Sequence, residues 1–146
     1  LMTARDFYRY QAGDSLPSLA LPPLSRHVLA LYCGGSGDHV AIHTDSDVAR
    51  GAGLPDVIGH GMLTMAYVGR MLTNIVEQRA IRSWNVMFLS PSRIGDRIVC
   101  HGRIAERREV GQEICLLVEL GATTDDGRDL ARGEASIVLS SLPDES

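Results

Sequence analysis

The chain has 146 residues, of which 45% are hydrophobic and 22% are charged, and this composition is sufficient for a globular domain with its own apolar core. Its formal net charge is −4 at pH 7. This charge excludes a general nucleic-acid-binding protein and a binder of anionic membranes, because both require a clustered basic surface. We therefore expect neither nucleic acid nor membrane among its partners.

The cysteine pattern and the hydropathy pattern indicate how the chain is organised. Cys33, Cys100 and Cys115 are odd in number and form no CxxC pair, so neither a disulfide framework nor a structural zinc site is expected. This cysteine usage favours a reducing compartment, and we predict the cytoplasm. The charge-free residues 57–69 are too short to span a bilayer. Without a linker or an internal repeat, residues 1–146 are predicted to form one domain.

Short elements are predicted in the first third of the chain. Residues 16–21 form a strand that the Pro22-Pro23 pair closes. Ser25 caps a short helix over residues 26–32, and this helix ends at Gly34-Gly35.

Two further helical segments follow. Thr44-Asp45 caps a single turn over residues 46–50. Residues 62–79 form a longer helix whose first half is apolar on nearly all sides, so this helix is predicted to be buried. A helix of this length extends for about 27 Å and requires a sheet around it.

The second half of the chain alternates apolar and polar residues with the period of two that is typical of strands. Strands are predicted over residues 84–89, 97–105, 112–123 and 130–140, and Asp126-Gly127 forms the hairpin turn before the last strand. Long antiparallel strands around one central helix define an α+β fold class.

Asp38 and His43 are the first candidates for catalytic residues. A helix would place them on different faces, but the glycine-rich residues 34–37 disfavour a helix at this point. In a turn, both side chains can converge, and the imidazole can then act as a base while the carboxylate orients it or transfers a proton itself. The alternative is that the two residues are a helix cap and a solvated side chain.

His60-Gly61 stands where the buried helix begins. The start of a helix presents unpaired N–H groups and a positive dipole, and a glycine allows a ligand oxygen to approach the backbone closely. Such a site would stabilise an oxyanion, for example a thioester enolate. The alternative is that Gly61 only permits tight packing and that His60 is a structural histidine.

Three segments carry a family resemblance. They are Tyr-Cys-Gly-Gly-Ser-Gly-Asp at residues 32–38, Ile-His-Thr-Asp at residues 42–45, and Ile-Gly-His-Gly-Met-Leu-Thr-Met at residues 58–65. Together with Ala49 and Gly53, these segments resemble the MaoC-like, (R)-specific enoyl-thioester hydratase family. The resemblance implies the hot-dog fold, in which a curved antiparallel sheet wraps a long central helix, and a homodimer or higher homo-oligomer.

The resemblance also implies a reaction and its residues. Asp38 and His43 match the catalytic pair of the family, and Gly61 matches the glycine whose N–H polarises the thioester carbonyl. The implied reaction is reversible syn addition of water to a trans-2-enoyl thioester of coenzyme A or acyl carrier protein, which gives the (R)-3-hydroxyacyl thioester. His60 and Met62 are predicted to contact this substrate. No cofactor is expected.

Two positions depart from the family pattern. Val40 and Ala41 stand where the family usually has Asn-Pro, so the loop lacks an amide hydrogen-bond partner and a rigid φ. Gly69 stands where some members have a serine nine residues after the HG histidine. Val40 and Gly69 are therefore predicted to alter the substrate site, with a changed substrate shape or a lower activity.

A metal site is considered and not predicted. Its potential ligands are Asp38, His39, His43, Asp45 and Asp47, but capping of the following turn explains the last two aspartates, and the family implied by the motif needs no metal.

Three arginines of the second half raise the question of phosphate binding. Arg93, Arg97 and Arg103 could meet a phosphate of coenzyme A or of a pantetheine arm, although arginines on the polar face of a strand are usually solvated. His101 is predicted to be a surface residue.

Three alternatives to a hydratase remain open. A hot-dog thioesterase would direct attack at the carbonyl carbon instead of C3. A non-catalytic partner subunit would only complete the acyl pocket of another chain. A binding module would hold acyl groups without chemistry.

Overall fold

A computed structural model gives the structure of residues 8–140. These residues form a five-stranded antiparallel sheet and three α-helices. The strands are β1 (Leu19–Pro23), β2 (Ile81–Phe88), β3 (Arg97–Val110), β4 (Glu113–Thr124) and β5 (Asp129–Ser140), and the helices are α1 (Arg26–Ser36), α2 (Ser46–Gly51) and α3 (Gly61–Thr73). Single 3₁₀ turns occur at Ala41–His43 and Gln78–Ala80.

The strands follow the order β1-β3-β4-β5-β2 across the sheet, and every neighbouring pair is antiparallel. The alternation predicted from the sequence is confirmed on β3, where Ile98, Cys100 and Ile104 are at most 1% exposed. The central strands bury one apolar face in this way, whereas β1 and β2 form the two edges of the sheet.

α3 lies across the sheet and contacts β1, β3, β4 and β5. Val68, Met71 and Leu72 of this helix are at most 1% exposed and belong to the main core. Burial of each such side chain contributes about 1.5–3 kcal/mol relative to exposure. One buried helix packed against antiparallel strands is therefore confirmed. Within residues 8–140, no helix has the length and apolar character that crossing a membrane requires.

The buried helix is shorter than predicted. α3 ends at Thr73 and Asn74 is its C-cap, so the prediction of helix over residues 74–79 was wrong. Ile75 and Val76 are nevertheless 9% and 4% exposed, because both pack into the core from the turn after α3. Apolar periodicity does not distinguish the last turn of a helix from a buried turn that follows it.

The first helix is longer than predicted. Ser25 accepts a hydrogen bond from the N–H of Val28 at 3.2 Å, which confirms the predicted cap. The helix continues through Gly34-Gly35 to Ser36 and ends at Gly37, whose φ is 77°. Adjacent glycines weaken a helix, but it is the left-handed conformation of Gly37 that ends this one.

The strand before this helix is also displaced. β1 covers Leu19–Pro23 instead of residues 16–21, and Pro23 pairs with Arg97. A proline is tolerated here because β1 is an edge strand, and the backbone groups on its outer side have no neighbouring strand with which to form hydrogen bonds. Pro22-Pro23 therefore does not close the strand as predicted.

Two glycines at the C-terminal end of α1, one inside the helix and one at its C-cap, are expected to change the stability in opposite directions when replaced by alanine. Gly34 is helical and a Cβ added to it would meet no atom within 4 Å, so Gly34→Ala is expected to stabilise the protein by about 0.5–1 kcal/mol. Gly37 has a φ of 77°, so Gly37→Ala is expected to cost about 1–2 kcal/mol. Urea unfolding measures the free energy of unfolding of both variants. A change of this free energy in the same direction for both would contradict the prediction.

Candidate active site

Residues 37–45 connect α1 to α2 and carry both predicted catalytic side chains. Oδ1 of Asp38 accepts a hydrogen bond from the N–H of Val40 at 3.3 Å, and a single 3₁₀ turn then leads to His43. Asp45 caps α2 by accepting from two backbone N–H groups, as predicted. The loop is therefore fixed by a side-chain turn at one end and by a helix cap at the other.

His43 has a defined orientation. Its Nδ1 lies 2.8 Å from the carbonyl oxygen of Ile58, and because a carbonyl only accepts, Nδ1 carries the proton and donates it. Nε2 then keeps the lone pair that a general base needs. A carboxylate oxygen of Asp38 and one ring nitrogen each of His43 and His60 all lie within 4.8 Å of one another. The turn thus brings Asp38 and His43 together.

His60 lies behind this pair. Its ring stacks on that of His43 with 3.9 Å between centroids and lies 4.8 Å from the ring of Tyr32. Nε2 of His60 donates to the carbonyl oxygen of Asp38 at 3.3 Å, while its buried Nδ1 has no partner among the described residues. His60 is only 1% exposed, so its side chain contacts the loop and is not accessible to solvent.

The environment of His60 gives stability a predictable pH dependence. Burial, and then the neighbouring charge of His43, lower the pKa of His60 below its usual 6.5. As the pH falls below about 6.5, the unfolded chain takes up a proton here before the folded chain does, so the free energy of unfolding falls. The contribution of His60 to the free energy of unfolding is fully present above about pH 6.5. It is lost as the pH falls from there to the lower pKa of the folded state.

Comparison with a variant isolates this effect. His60→Gln keeps an N–H donor for the Asp38 carbonyl but cannot titrate. The free energy of unfolding of the wild type relative to this variant is expected to decrease as the pH is lowered from about 7.5 to about 5.5. Urea unfolding at each pH measures the difference, and a difference that does not change with pH would contradict the expectation.

The start of α3 presents free donors. His60 is the N-cap residue, with φ −63° and ψ 132°, and its side chain makes no capping hydrogen bond. In the part of the chain that the structure describes, the N–H groups of Gly61 and Met62 donate to no acceptor, as expected for the first turn of a helix. These donors and the helix dipole favour an oxygen that carries negative charge.

His43 and Gly61 line the same cleft. Its volume is about 350 Å³, and its walls are formed by α3, the end of β2 and the loop between β2 and β3. The remaining lining residues are Ile58, Gly59, Thr64, Phe88, Leu89, Ser90, Pro91, Ser92 and Leu130. His43 and the first residue of α3 therefore border one small space.

Glycine is required in this cleft at Gly59, whereas Gly61 has room for a methyl group. A Cβ on Gly59 would lie 2.1 Å from Oγ of Ser92, and a Cβ on Gly61 would lie 3.4 Å from the ring of Phe88. The sequence analysis assigned a role to Gly61 and included Gly59 only as part of the motif at residues 58–65, and it missed Ser92 and Phe88. The contacts join segments about thirty residues apart and leave no periodic signal, so a single sequence offers nothing that would have found them.

The other predicted substrate contacts have different surroundings. Val40 is 59% exposed and Met62 is 53% exposed, so both side chains are available at the surface near the loop and the start of α3. Gly69 lies about two turns further along α3, against the indole of Trp84. A Cβ at Gly69 would lie 2.9 Å from the ring of Trp84, so the indole occupies the space that a serine side chain would need.

The side chains that approach one another at the loop have the composition of a metal site, but their geometry disfavours it. Asp38, His43 and His60 each place one potential ligand atom within 4.8 Å of the others. The lone pair of an imidazole nitrogen lies in the plane of the ring, and the two rings are stacked at 26°, so both do not point at one ion. His39, also considered as a ligand, instead contacts the thiol of Cys33 at 3.2 Å.

The arginines considered for phosphate binding lie outside the cleft lining. Arg97 is 3.9 Å from Asp125, and Arg103 donates to the carbonyl oxygen of Gly13 at 3.2 Å. Arg93 is exposed. His101 is exposed as predicted, and its ring lies over Gly121 on the neighbouring strand.

Comparison with known proteins gives consistent results. A family model described as the MaoC like domain matches residues 17–126. The fatty acid synthase subunit beta of Aspergillus oryzae is 38% identical over an 87-residue alignment, and the match covers 51% of this chain and 4% of that protein. The chain thus spans only a small fraction of this curated relative.

Solved structures share the fold. The R-hydratase PhaJ1 from Pseudomonas aeruginosa is similar with a TM-score of 0.78 at 16% identity, over 94% of this chain and 86% of that chain. An (R)-hydratase from A. caviae involved in PHA biosynthesis gives a TM-score of 0.75 at 21% identity, over 92% and 98% of the two chains.

The sheet order, the buried helix and these structural neighbours define a hot-dog fold of the α+β class. Within that class, the chain belongs to the MaoC-like dehydratase domain family. The resemblance seen in the sequence motifs is therefore confirmed.

Proposed function

We propose that this chain is a hydro-lyase that reversibly hydrates a trans-2-enoyl thioester to the (R)-3-hydroxyacyl thioester. The observation that carries the proposal is that His43 and Gly61 line one cleft, and that the N–H of Gly61 has no acceptor among the described residues. Membership of the MaoC-like family and the nearby carboxylate of Asp38 support it.

The helix start supplies the electrostatic part of the mechanism. The thioester carbonyl oxygen accepts a hydrogen bond from the N–H of Gly61, where the dipole of α3 adds to the donor. This interaction strengthens as negative charge develops on the oxygen, so it stabilises the enolate-like transition state more than the ground state.

Asp38 and His43 supply the proton transfers. In the dehydration direction, one of the pair removes the proton from C2 while the bond between C3 and its hydroxyl oxygen breaks. The hydroxyl leaves as water after it receives a proton from the same pair. Hydration is the reverse: the pair takes a proton from water as its oxygen bonds to C3, and C2 receives a proton.

The second copy of the chain is proposed to lie along β2. This strand has one unpaired edge, and Met87, Phe88 and Leu89 at its end are 68%, 48% and 45% exposed. An unpaired apolar edge is suited to pairing with another strand. A homodimer would cover these side chains, and Phe88 and Leu89 also line the cleft.

The carrier and the compartment are part of the proposal. The thioester is that of coenzyme A or of an acyl carrier protein, as the resemblance implies. All three cysteines are free, which supports the cytoplasm as the compartment.

The test is an absorbance assay of the conjugated enoyl thioester over a series of acyl chain lengths. Hydration removes the conjugated absorbance without releasing thiol. The matched saturated thioester is incubated in parallel with a thiol reagent. Loss of enoyl absorbance with no thiol release is expected, whereas thiol release from the saturated thioester without hydration would identify a thioesterase and overturn the proposal.

A further inference from the structure

Arg128 reaches from the β4–β5 hairpin to the loop between β2 and β3, residues 89–96, which we call the wall loop. Its Nη1 donates to the carbonyl oxygen of Pro91 at 2.7 Å and lies 3.4 Å from Oγ of Ser90. Its Nη2 donates to Oδ2 of Asp96 at 2.5 Å. The guanidinium thus holds the loop at both its beginning and its end.

This ion pair is shielded more than the others of the described chain. The side chains of Arg128 and Asp96 are 26% and 18% exposed, so solvent screens their attraction less than it would at the surface. Asp96 also accepts a hydrogen bond from the N–H of Arg93 at 2.7 Å. The fork of an arginine can bond two acceptors at fixed angles, which a lysine cannot do.

The wall loop is joined in turn to the residues that lead into α3. The N–H of Gly59 donates to the carbonyl oxygen of Ser92 at 2.8 Å, and Ile58 pairs with Arg93 in an antiparallel bridge. Oγ of Ser92 occupies the space beside Gly59 where a Cβ would lie. Any shift of the wall loop therefore moves residues 58–59.

The same residues also hold the imidazole. The carbonyl oxygen of Ile58 accepts the hydrogen bond of His43 Nδ1 at 2.8 Å, and Gly59 is two residues before Gly61. Residues 58–59 thus lie between the wall loop on one side and the proposed base on the other. A movement of residues 58–59 would therefore change the position of His43 relative to Gly61.

We propose that Arg128 is a positioning residue for the reaction proposed above, on which this inference rests. Through Asp96 and Pro91 it fixes the wall loop, and through the wall loop it fixes His43 and Gly61 at their separation across the cleft. A displacement of about 1 Å between reacting groups can cost about 10²-fold in rate. Arg128 itself lies outside the cleft lining and is not a catalytic residue.

The first test compares Arg128→Met with Arg132→Met. Arg132 stands on β5 and pairs with Asp129 at 2.5 Å, but its side chain is 68% exposed, and among the described residues it makes no hydrogen bond or ion pair with the wall loop. For Arg128→Met, kcat per folded molecule is expected to fall by about 10- to 100-fold with a smaller change in KM. Arg132→Met should keep the wild-type kcat.

Effects on stability are separated from effects on kinetics by measuring the thermal unfolding of each variant. Its activity is then assayed at a temperature well below the unfolding transition. Lower stability alone reduces the folded fraction but leaves kcat per folded molecule and KM unchanged. Arg128→Lys keeps the charge but loses the fork, so it should resemble Arg128→Met. If Arg128→Met does not fold, Asp96→Asn replaces it in the comparison. A kcat per folded molecule within about twofold of the wild type overturns the inference.

The second test does not depend on activity. In protein labelled with ¹⁵N-glycine, the N–H signals of Gly59 and Gly61 are expected to shift in Arg128→Met and to stay in place in Arg132→Met. Signals that do not move in either variant overturn the inference even if the wild type has no hydratase activity. An inactive wild type in which these signals do respond to Arg128→Met would overturn only the proposed function.

Discussion

Replacing His43 with alanine is expected to lower kcat for enoyl-thioester hydration by about 10²- to 10⁴-fold. Nδ1 of His43 donates to the carbonyl oxygen of Ile58, so Nε2 is the nitrogen that is free to accept a proton from water or from C2. The variant removes this base and also the ring on which His60 stacks. Initial rates of absorbance loss with an enoyl thioester, at several substrate concentrations, measure the effect.

His27→Ala is a matched control for this prediction. His27 is exposed on α1 and lies outside the cleft lining, so its removal should leave kcat unchanged. Asp38→Asn is the companion variant, because its amide oxygen can still accept from the N–H of Val40 while the charge is lost. Rates of His43→Ala and Asp38→Asn equal to that of the wild type would show that this pair does not carry out the proton transfers.

The elements that could be predicted from the sequence are those that neighbouring residues determine. Ser25 and Asp45 cap α1 and α2 through their own side chains, and alternation along β3 follows from burial of one face. A neighbouring residue or a simple period determines each of these features. The convergence of Asp38 and His43 belongs to the same class, because a glycine ends α1 directly before them.

Features that depend on tertiary contacts were not predictable in this way. Ile75 and Val76 are buried although α3 has ended, so the apolar period continued past the helix. No packing contact was predicted for the wall loop, yet Ser92 packs against Gly59, and Arg128 bonds to the loop from the β4–β5 hairpin. No local rule relates residues that lie thirty or more positions apart.

His60 shows how the structure refines a motif. The HG pair was predicted to act together, with His60 as a substrate contact and Gly61 as the amide donor. In the structure, His60 is a buried side chain that bonds the Asp38 carbonyl, whereas Gly61 lines the cleft. We propose that the histidine supports the loop and that the glycine contacts the substrate.

Replacing Gly61 with proline is expected to lower kcat by about 10²- to 10³-fold while the fold is kept, because it deletes one backbone donor at the carbonyl site. Gly61 is the first residue of α3, a position where proline is favoured since its N–H has no partner within the helix. His60 has ψ 132°, the extended conformation that a residue before proline adopts. The backbone at this point already suits the substitution.

Gly61→Ala is the control that separates the lost donor from added bulk. Its Cβ would lie 3.4 Å from the ring of Phe88, in ordinary van der Waals contact, and the variant keeps the N–H. Thermal unfolding of both variants should stay near that of the wild type, whereas only Gly61→Pro should lose most of its kcat. Equal kcat for the two variants would show that the N–H of Gly61 does not stabilise the transition state, and the oxyanion site would then have to be sought elsewhere in the cleft.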